Sequence, residues 1–497
     1  MPHEPETPVA PDHAPAPPAA ITPAHQAAIA PQASAATASP AAPGADTLEA
    51  RIPPDVRALM GVLRAAGHDA FVVGGSIRDV MLGHEPLDWD LTTDADPDRL
   101  RALFPGARYE NRFGTVVVTR DGVEYEITTY RTERDYDDHR RPTNVAFGAT
   151  LAEDLARRDF TVNAMAFGHA AADADGSPAR LEDPHGGRLD LDARLLRAVG
   201  DPDARFGEDA LRMLRAVRLE SMLGFSIDPP TLAAVSRHAP EASHLAGPRI
   251  GAELLLLLGA GSPGPGLRRL EATGLLAATI PELAAQRGIP QAKIPGDDLW
   301  DHTVRTVEAA RPTRLARVAA LLHDVGKPAT FAEGRFHRHD VVGAGMADTV
   351  LERLAVTREL RERVVRLVRH HMFSYELTWS DAAVRRFIQR TGADLLDDLF
   401  DLRAADDAGS GVAADGPRVT DLRRRCREQL DARVPLRRED LAIDGNDVVA
   451  ELGLAPGPRL GRILDRLTER VVDDPSLNER RRLLDLARAI DRNLEDR

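Results

Sequence analysis

The apolar residues of this chain change their period near residue 200, and that change constrains the fold more than anything else in the sequence. Before it, short apolar runs alternate with turn residues. "GTVVVTRDGVEYEITTYR", Gly114 to Arg131, reads as two alternating strands joined at Asp121-Gly122, and a DG step between such runs is a strong hairpin signal. "DVRALMGVLRAAG" reads as an amphipathic helix closed by Gly67, and "DAFVVGGSIRDVMLG" as a strand, a Gly-Gly turn and a helix. After it, Leu, Ala and Arg recur at helical spacing in "GEDALRMLRAVRLESMLGF" and "PRIGAELLLLLGAG". "RLARVAALLHDVGKP" reads as a helix closed by Gly326 with Pro328 just beyond, and "DDAGSGVAADGP" as a loop. The pattern predicts an α+β fold: a head with a mixed sheet and helices over 47–200, then an all-helical body.

With 497 residues, the chain is too long for one ordinary core. Residues 1–46 form an Ala/Pro tract that is expected to be disordered. The net charge of −14, from 64 basic and 78 acidic residues, excludes a generally basic nucleic-acid coat but permits a local basic groove. Only Lys293 and Lys327 are lysines, so arginine is a chain-wide preference and no single Arg marks a phosphate site by its type alone. The lone Cys426 excludes an intramolecular disulfide framework and a Cys-rich zinc module. No run approaches the ~18 apolar residues of a membrane span. The first 50 residues lack Lys and Arg, so neither a signal nor a transit peptide is expected, and a cytoplasmic location is.

"LDWDLTT", Leu87 to Thr93, sets Asp88 and Asp90 two residues apart in a strand-like run, where residues i and i+2 share a face. Adjacent carboxylates oppose each other's ionisation unless a cation neutralises them. By themselves they are equally a polar strand end. About ten residues upstream, "GGSIRD", Gly74 to Asp79, is a strand-to-helix turn. There Gly-Gly permits close backbone approach to a ligand, and Arg78 falls in the first helical turn. Mg²⁺ accepts one or two carboxylates plus substrate phosphates, and two such ions can clamp an in-line displacement.

Together "VVGGSIRD" and "DWDLTT" resemble the head motif of polymerase-β-like nucleotidyltransferases, and more narrowly that of the class II CCA-adding and bacterial poly(A) polymerase family. "RRDFTVNAMAF" (157–167), "EDPHGGRLDL" (182–191) and "GEDALRMLRAVRL" resemble three further motifs of that family, the last departing only at Leu219, where an aromatic is usual. The resemblance covers about residues 50–280. It implies that Asp88 and Asp90 hold catalytic Mg²⁺, with a third carboxylate from a neighbouring strand: Glu126, or its rival Glu124. It implies that Gly74, Gly75 and Arg78 grip the triphosphate and that Arg158 contacts nucleotide, while Asn163 braces the loop. Asp209 and Arg212 would present a carboxylate and a guanidinium fork to the base edge of C and A, which both carry an exocyclic amine. Arg215 and Arg218 would hold nucleotide or serve the structure.

A second constellation follows in the helical body. His302, His323-Asp324 and Asp406 occur in the order H…HD…D, which resembles HD-domain phosphohydrolases that hold a divalent metal by imidazole and carboxylate. His337, His339, His370 and His371 lie between, and some of them could complete a second metal position. The Arg-rich "DLRRRCREQLDARVPLRRED" reads equally as a salt-bridged helix or as an RNA backbone contact.

These readings divide the chain into a tail (1–46), a head (47–200), a helical neck binding nucleobase and RNA (201–290), an HD domain (291–410) and a helical C-terminal tail (411–497). The expected activity is Mg²⁺-dependent addition of CMP, CMP and AMP from CTP and ATP to the 3′ end of tRNA, with an accessory HD hydrolase. The alternatives are poly(A) synthesis, a CC-only or A-only specialist, and an HD phosphohydrolase whose head only binds RNA.

Overall fold

The computed structural model describes residues 45–109, 114–137, 141–173, 176–291, 294–412 and 416–495. The Ala/Pro tract up to residue 44 lies outside them.

The head is built on a seven-stranded mixed sheet. Its strands are β1 (Ala70–Val73), β2 (Asp90–Thr93), β3 (Arg108–Tyr109), β4 (Thr115–Arg120), β5 (Val123–Thr129), β8 (Ala166–His169) and β9 (Arg180–Glu182). The order across the sheet is β3-β4-β5-β2-β1-β8-β9. Only the central β2–β5 pair is parallel; the other pairings are antiparallel. β6 (Arg131–Asp137) and β7 (Arg141–Phe147) make a separate antiparallel pair. The β4–β5 hairpin turns at Asp121-Gly122, both with positive φ (47° and 80°), as a two-residue turn matched to strand twist requires. All four β1 residues are buried, as a strand covered on both faces should be. One face packs on the main core; the other carries Phe71, Val73, Leu155 and Ala166.

Beyond residue 200 the described chain is helical, except for the strand Ser226–Ile227, which pairs back with Leu195–Leu196, and one short hairpin. Buried side chains from Leu48 to Leu436 form one contiguous core, whereas residues between Leu441 and Ala487 pack into a separate one. Three local expectations change. The helix expected through "GEDALRMLR" is interrupted: one segment is Pro202–Glu208, another is Leu211–Leu223, and Asp209 between them has extended backbone (φ −147°, ψ 104°). The helix Arg314–Leu322 is capped at His323, three residues before the foreseen closure. Gly326 is not left-handed (φ −80°); it is small because an added Cβ would lie 2.4 Å from the His339 carbonyl oxygen and 2.5 Å from Gly343 N. The helix Leu396–Gly409 also runs through "DDAG", so Asp406 is helical and not in a loop.

Candidate active site and metal centre

Three of the sequence motifs meet at one end of β1. Val73, its last residue, pairs with Asp90 on one side and with Ala166 on the other, and Gly74-Gly75 follows at once. Asp90 therefore stands beside the Gly-Gly turn, with "RRDFTVN" folding over from the opposite side through the 3-10 turn Thr161–Asn163. The strand begins at Asp90, so Asp88 sits in the exposed segment before it. β2 and β5 pair in parallel with Leu91 opposite Ile127. One step back along both strands sets Asp90 level with Glu126. Glu124 is two residues farther along and is paired with Arg108, which leaves Glu126 as the neighbour of the aspartates.

Burial, with the negative charges of Asp88 and Glu126 beside it, pushes the Asp90 carboxyl up to about 7, against the pull of Arg158. Carboxylates that oppose one another's ionisation suit a hard divalent cation, although among the described residues the oxygens of these three are not gathered closely enough to form a ligand group by themselves. Arg158 reaches from the other motif: its Nη1 lies 3.0 Å from where a Gly74 Cβ would stand, so glycine there admits the guanidinium. Gly74 itself holds φ 84°, a conformation glycine adopts freely.

Arg78 donates from Nε to Asp79 Oδ1 (2.8 Å) and from Nη1 to Asn163 Oδ1 (2.7 Å). Asn163 Nδ2 donates to Asp159 Oδ1 (3.1 Å), and Arg215 Nε donates to Asp159 Oδ2 (2.7 Å). A continuous chain of hydrogen bonds thus runs from the Gly-Gly turn to the Leu211–Leu223 helix. Burial would raise the Asp159 carboxyl, but Arg215, Asn163 and Arg212 together hold it far below the ordinary carboxylate range. Arg218 pairs with Glu253 at 2.7 Å. Arg215 and Arg218 thus both engage protein carboxylates.

Asp209 and Arg212 do not form the helix pair that an i,i+3 spacing suggests. Asp209 Oδ1 accepts from the Leu211 N–H (3.0 Å), capping the second segment, and Oδ2 accepts from Arg249 Nη2 (2.7 Å). Arg212 Nη1 donates to Glu208 Oε2 (2.6 Å) and the Arg205 carbonyl (3.1 Å), and its Nη2 to the Arg157 carbonyl (2.8 Å). Arg249 is the residue that motif reading missed. It lies on another helix, Gly247–Leu258, and the preceding Gly-Pro reads only as a helix start.

The second constellation assembles where helix ends converge. His302 is on the helix Leu299–Ala309, His323-Asp324 follow Arg314–Leu322, His339 opens His339–Arg353, His371 follows Arg358–His370, and Asp406 is on Leu396–Gly409. His302 Nε2 lies 3.2 Å from His323 Nε2, 3.5 Å from Asp324 Oδ2 and 3.2 Å from Asp406 Oδ1. On the other carboxylate oxygen, Asp324 Oδ1 is 3.4 Å from His339 Nε2 and 3.6 Å from His371 Nε2. Of the four additional histidines, His339 and His371 join the cluster; His337 is exposed, and His370 takes part in neither group able to hold an ion. Those two groups, His302–His323–Asp324 and Asp324–His339–His371, share Asp324.

The ring tautomers argue for cations there. His339 Nδ1 faces the Phe336 carbonyl (3.1 Å) and His371 Nδ1 the Val368 carbonyl (2.7 Å), so each Nδ1–H donates to a carbonyl. Their Nε2 atoms, 3.3 Å apart, then present two lone pairs to each other. That contact is repulsive unless something positive lies between. His323 Nδ1 is held the same way by the Ala320 carbonyl (2.7 Å). Both Asp324 oxygens are buried without a hydrogen bond, although Lys327 Nζ stands 2.6 Å from Oδ2. This donor set fits two divalent ions bridged by a carboxylate, with imidazole favouring a transition metal.

The first half of the Arg-rich stretch lies on the helix Pro417–Asp431, where ion pairs line it. Arg423 pairs with Asp401, Arg424 with Asp421 and Glu428, Arg425 with Asp381, and Arg427 with Asp397. Cys426 is buried there, which pushes its thiol up to about 12 and leaves it inert. Among the described residues, no helix is long and apolar enough to cross a membrane.

A carboxylate-bearing mixed sheet behind a Gly-Gly turn, joined to a helical body with an imidazole–carboxylate centre, defines a nucleotidyltransferase carrying an HD module. Known families agree with this: the poly A polymerase head domain matches residues 70–197, a probable RNA and SrmB-binding site of polymerase A matches 224–287, and the HD domain matches 299–408. The CCA-adding enzyme of Geobacillus stearothermophilus is 34% identical over 423 residues, 85% of this chain and 93% of that one. That of Geobacillus thermodenitrificans is 43% identical over 235 residues, 46% of this chain and 56% of its own length. The A-adding tRNA nucleotidyltransferase of Deinococcus radiodurans is 35% identical, covering 80% of this chain and 91% of that one. Among solved structures, the Bacillus stearothermophilus CCA-adding enzyme in complex with CTP superposes with a TM-score of 0.63 at 28% identity, over 90% of this chain and 100% of that one. The chain belongs to the CCA-adding enzyme family.

Proposed function

We propose that this chain completes the 3′ end of tRNA in the cytoplasm, adding CMP, CMP and AMP from CTP and ATP. The observation that carries the reading is the placement of Asp90 level with Glu126 and beside the Gly-Gly turn, with Asp88 two residues upstream. Asp88, Asp90 and Glu126 would hold Mg²⁺, which supplies charge neutralisation at the α-phosphate and the leaving pyrophosphate. Gly74 and Gly75 let the triphosphate approach the backbone, and Arg78 and Arg158 counter its charge. Asp209, fixed by Arg249, and Arg212 present an acceptor and a fork of donors to the base edge, and Arg215 and Arg218 stand behind them. The head spans 47–200, the neck 201–290, the HD domain 291–410 and the C-terminal tail 411–497; the tail's own core, between Leu441 and Ala487, supports a distinct role in holding tRNA. The imidazole–carboxylate centre is an accessory metal-dependent phosphohydrolase, with His302, His323, Asp324 and Asp406 as ligands and His339 and His371 completing a second position.

A second reading, a specialist that adds only the terminal A, is favoured by the Deinococcus radiodurans relative. The test of the head offers tRNA that ends before CCA together with labelled CTP. The unmodified protein incorporates label, and Asp88→Ala with Asp90→Ala falls to background. Undiminished incorporation by the double variant would overturn the assignment of these carboxylates.

A further inference from the structure

Between the His-Asp turn and His339 the chain makes a small hairpin. Phe331–Ala332 pairs antiparallel with Arg335–Phe336 across the turn Glu333-Gly334, both turn residues at positive φ (51° and 75°). Phe331 and Phe336 stand opposite each other, rings tilted at 5.2 Å between centroids. Phe336 meets the edge of His339 at 6.4 Å, and Lys327 Nζ stands 5.2 Å from the Phe336 ring centroid while ion-paired with Asp324. The outer ring, Phe331, is 40% exposed. Arg335, His337 and Arg338 are exposed beside it, and their side chains engage no hydrogen bond or ion pair among the described residues. An aromatic face open to water, one ring removed from a metal-ligating histidine and flanked by cations, is the arrangement that binds a base at one end and a phosphate at the other.

We propose that this hairpin is a nucleobase platform for the imidazole–carboxylate centre, so that the centre acts on nucleoside monophosphates in preference to phosphate esters without a base. This rests on the phosphohydrolase reading of that centre. The base stacks on Phe331, the phosphate lies toward Asp324 and the histidines, and Lys327 and Arg338 counter its charge. In the reaction water attacks phosphorus, the ester P–O bond breaks, and the alcohol oxygen leaves as the nucleoside hydroxyl with a proton from the water. The products are nucleoside and inorganic phosphate. Every base has a π face, so the platform reads the presence of a base and not its identity.

The test compares AMP with ribose 5-phosphate on the full chain loaded with Mn²⁺. Phe331→Ala is expected to lower kcat/KM for AMP by roughly 5- to 100-fold, the loss of one base–aromatic stack, and to leave ribose 5-phosphate unchanged. Independently of turnover, Phe331→Trp places a fluorophore on the platform: AMP quenches the added emission and ribose 5-phosphate does not, with the unmodified protein supplying the background. Equal effects on both esters, together with no quench, overturn the platform while the hydrolase stands. A quench without metal-dependent hydrolysis of either ester sinks the hydrolase and keeps the platform as a binding site.

Discussion

In the proposed reaction the head's chemistry turns on Asp90, and its charge has a cost in stability. A carboxyl whose folded value is raised withdraws stability as pH climbs past its unfolded value near 4, and here the withdrawal is complete above about 7. Asp90→Asn removes that cost, worth on the order of 1–3 kcal/mol at a half-buried site. At pH 8 in EDTA the variant should melt roughly 2–4 °C above the unmodified protein, and adding Mg²⁺ should raise only the unmodified protein's midpoint. Scanning calorimetry reads both; a variant that melts lower in EDTA would mean that Asp90 is satisfied without a cation. Arg249 offers a second residue-scale test. It holds Asp209, which makes it a positioning residue in the proposed recognition of the base. Arg249→Ala should erode discrimination of CTP and ATP against UTP by about tenfold, with most of the change in KM. Arg249→Lys should restore part of it. Equal losses of kcat for all nucleotides would make Arg249 merely structural.

At the scale of elements, spacing along the sequence identified the pieces but not every join between them. Strand, turn and helix around Gly74-Gly75 and the Asp121-Gly122 hairpin were legible because local chemistry decides them. The break at Asp209 was not: the apolar period runs unbroken through "GEDALRMLR", and the carboxylate that opens the helix is held by Arg249 from another element. Gly326 read as a stop signal, yet it is glycine because another helix passes within contact of its Cα. The four histidines between Asp324 and Asp406 were indistinguishable in sequence, since only tertiary packing selects His339 and His371. That selection predicts a metal stoichiometry. The purified protein should bind two transition-metal ions per chain in the HD module, His371→Ala one, and Asp324→Ala none, by elemental analysis after dialysis. A single ion that survives Asp324→Ala would refute the bridged centre.

At the scale of the whole molecule, one main core runs from Leu48 to Leu436, through head, neck, HD module and the start of the C-terminal tail, while the tail from Leu441 onward has its own. Along its helix Pro458–Asp473, Arg462, Arg466 and Arg470 recur every four residues, exposed and without a partner among the described residues. A stripe on a separately packed unit suits the RNA backbone, despite the chain's negative charge. Replacing all three with Gln should weaken tRNA binding at low salt and reduce the salt dependence of the binding constant by up to about three phosphate contacts. An unchanged slope would place the RNA elsewhere. The family was legible from four motifs in order, but the number of nucleotides added was not, because a relative named for CCA addition and one named for A addition resemble this chain equally, at 34% and 35% identity. The most direct measurement is therefore product length. Transfer RNA that lacks its CCA end is incubated with CTP and ATP, and the products are resolved to single nucleotides. The account predicts extension by three residues, C, C and A, and then a stop. No extension until CC is already present, or an A tail that keeps growing, would contradict it.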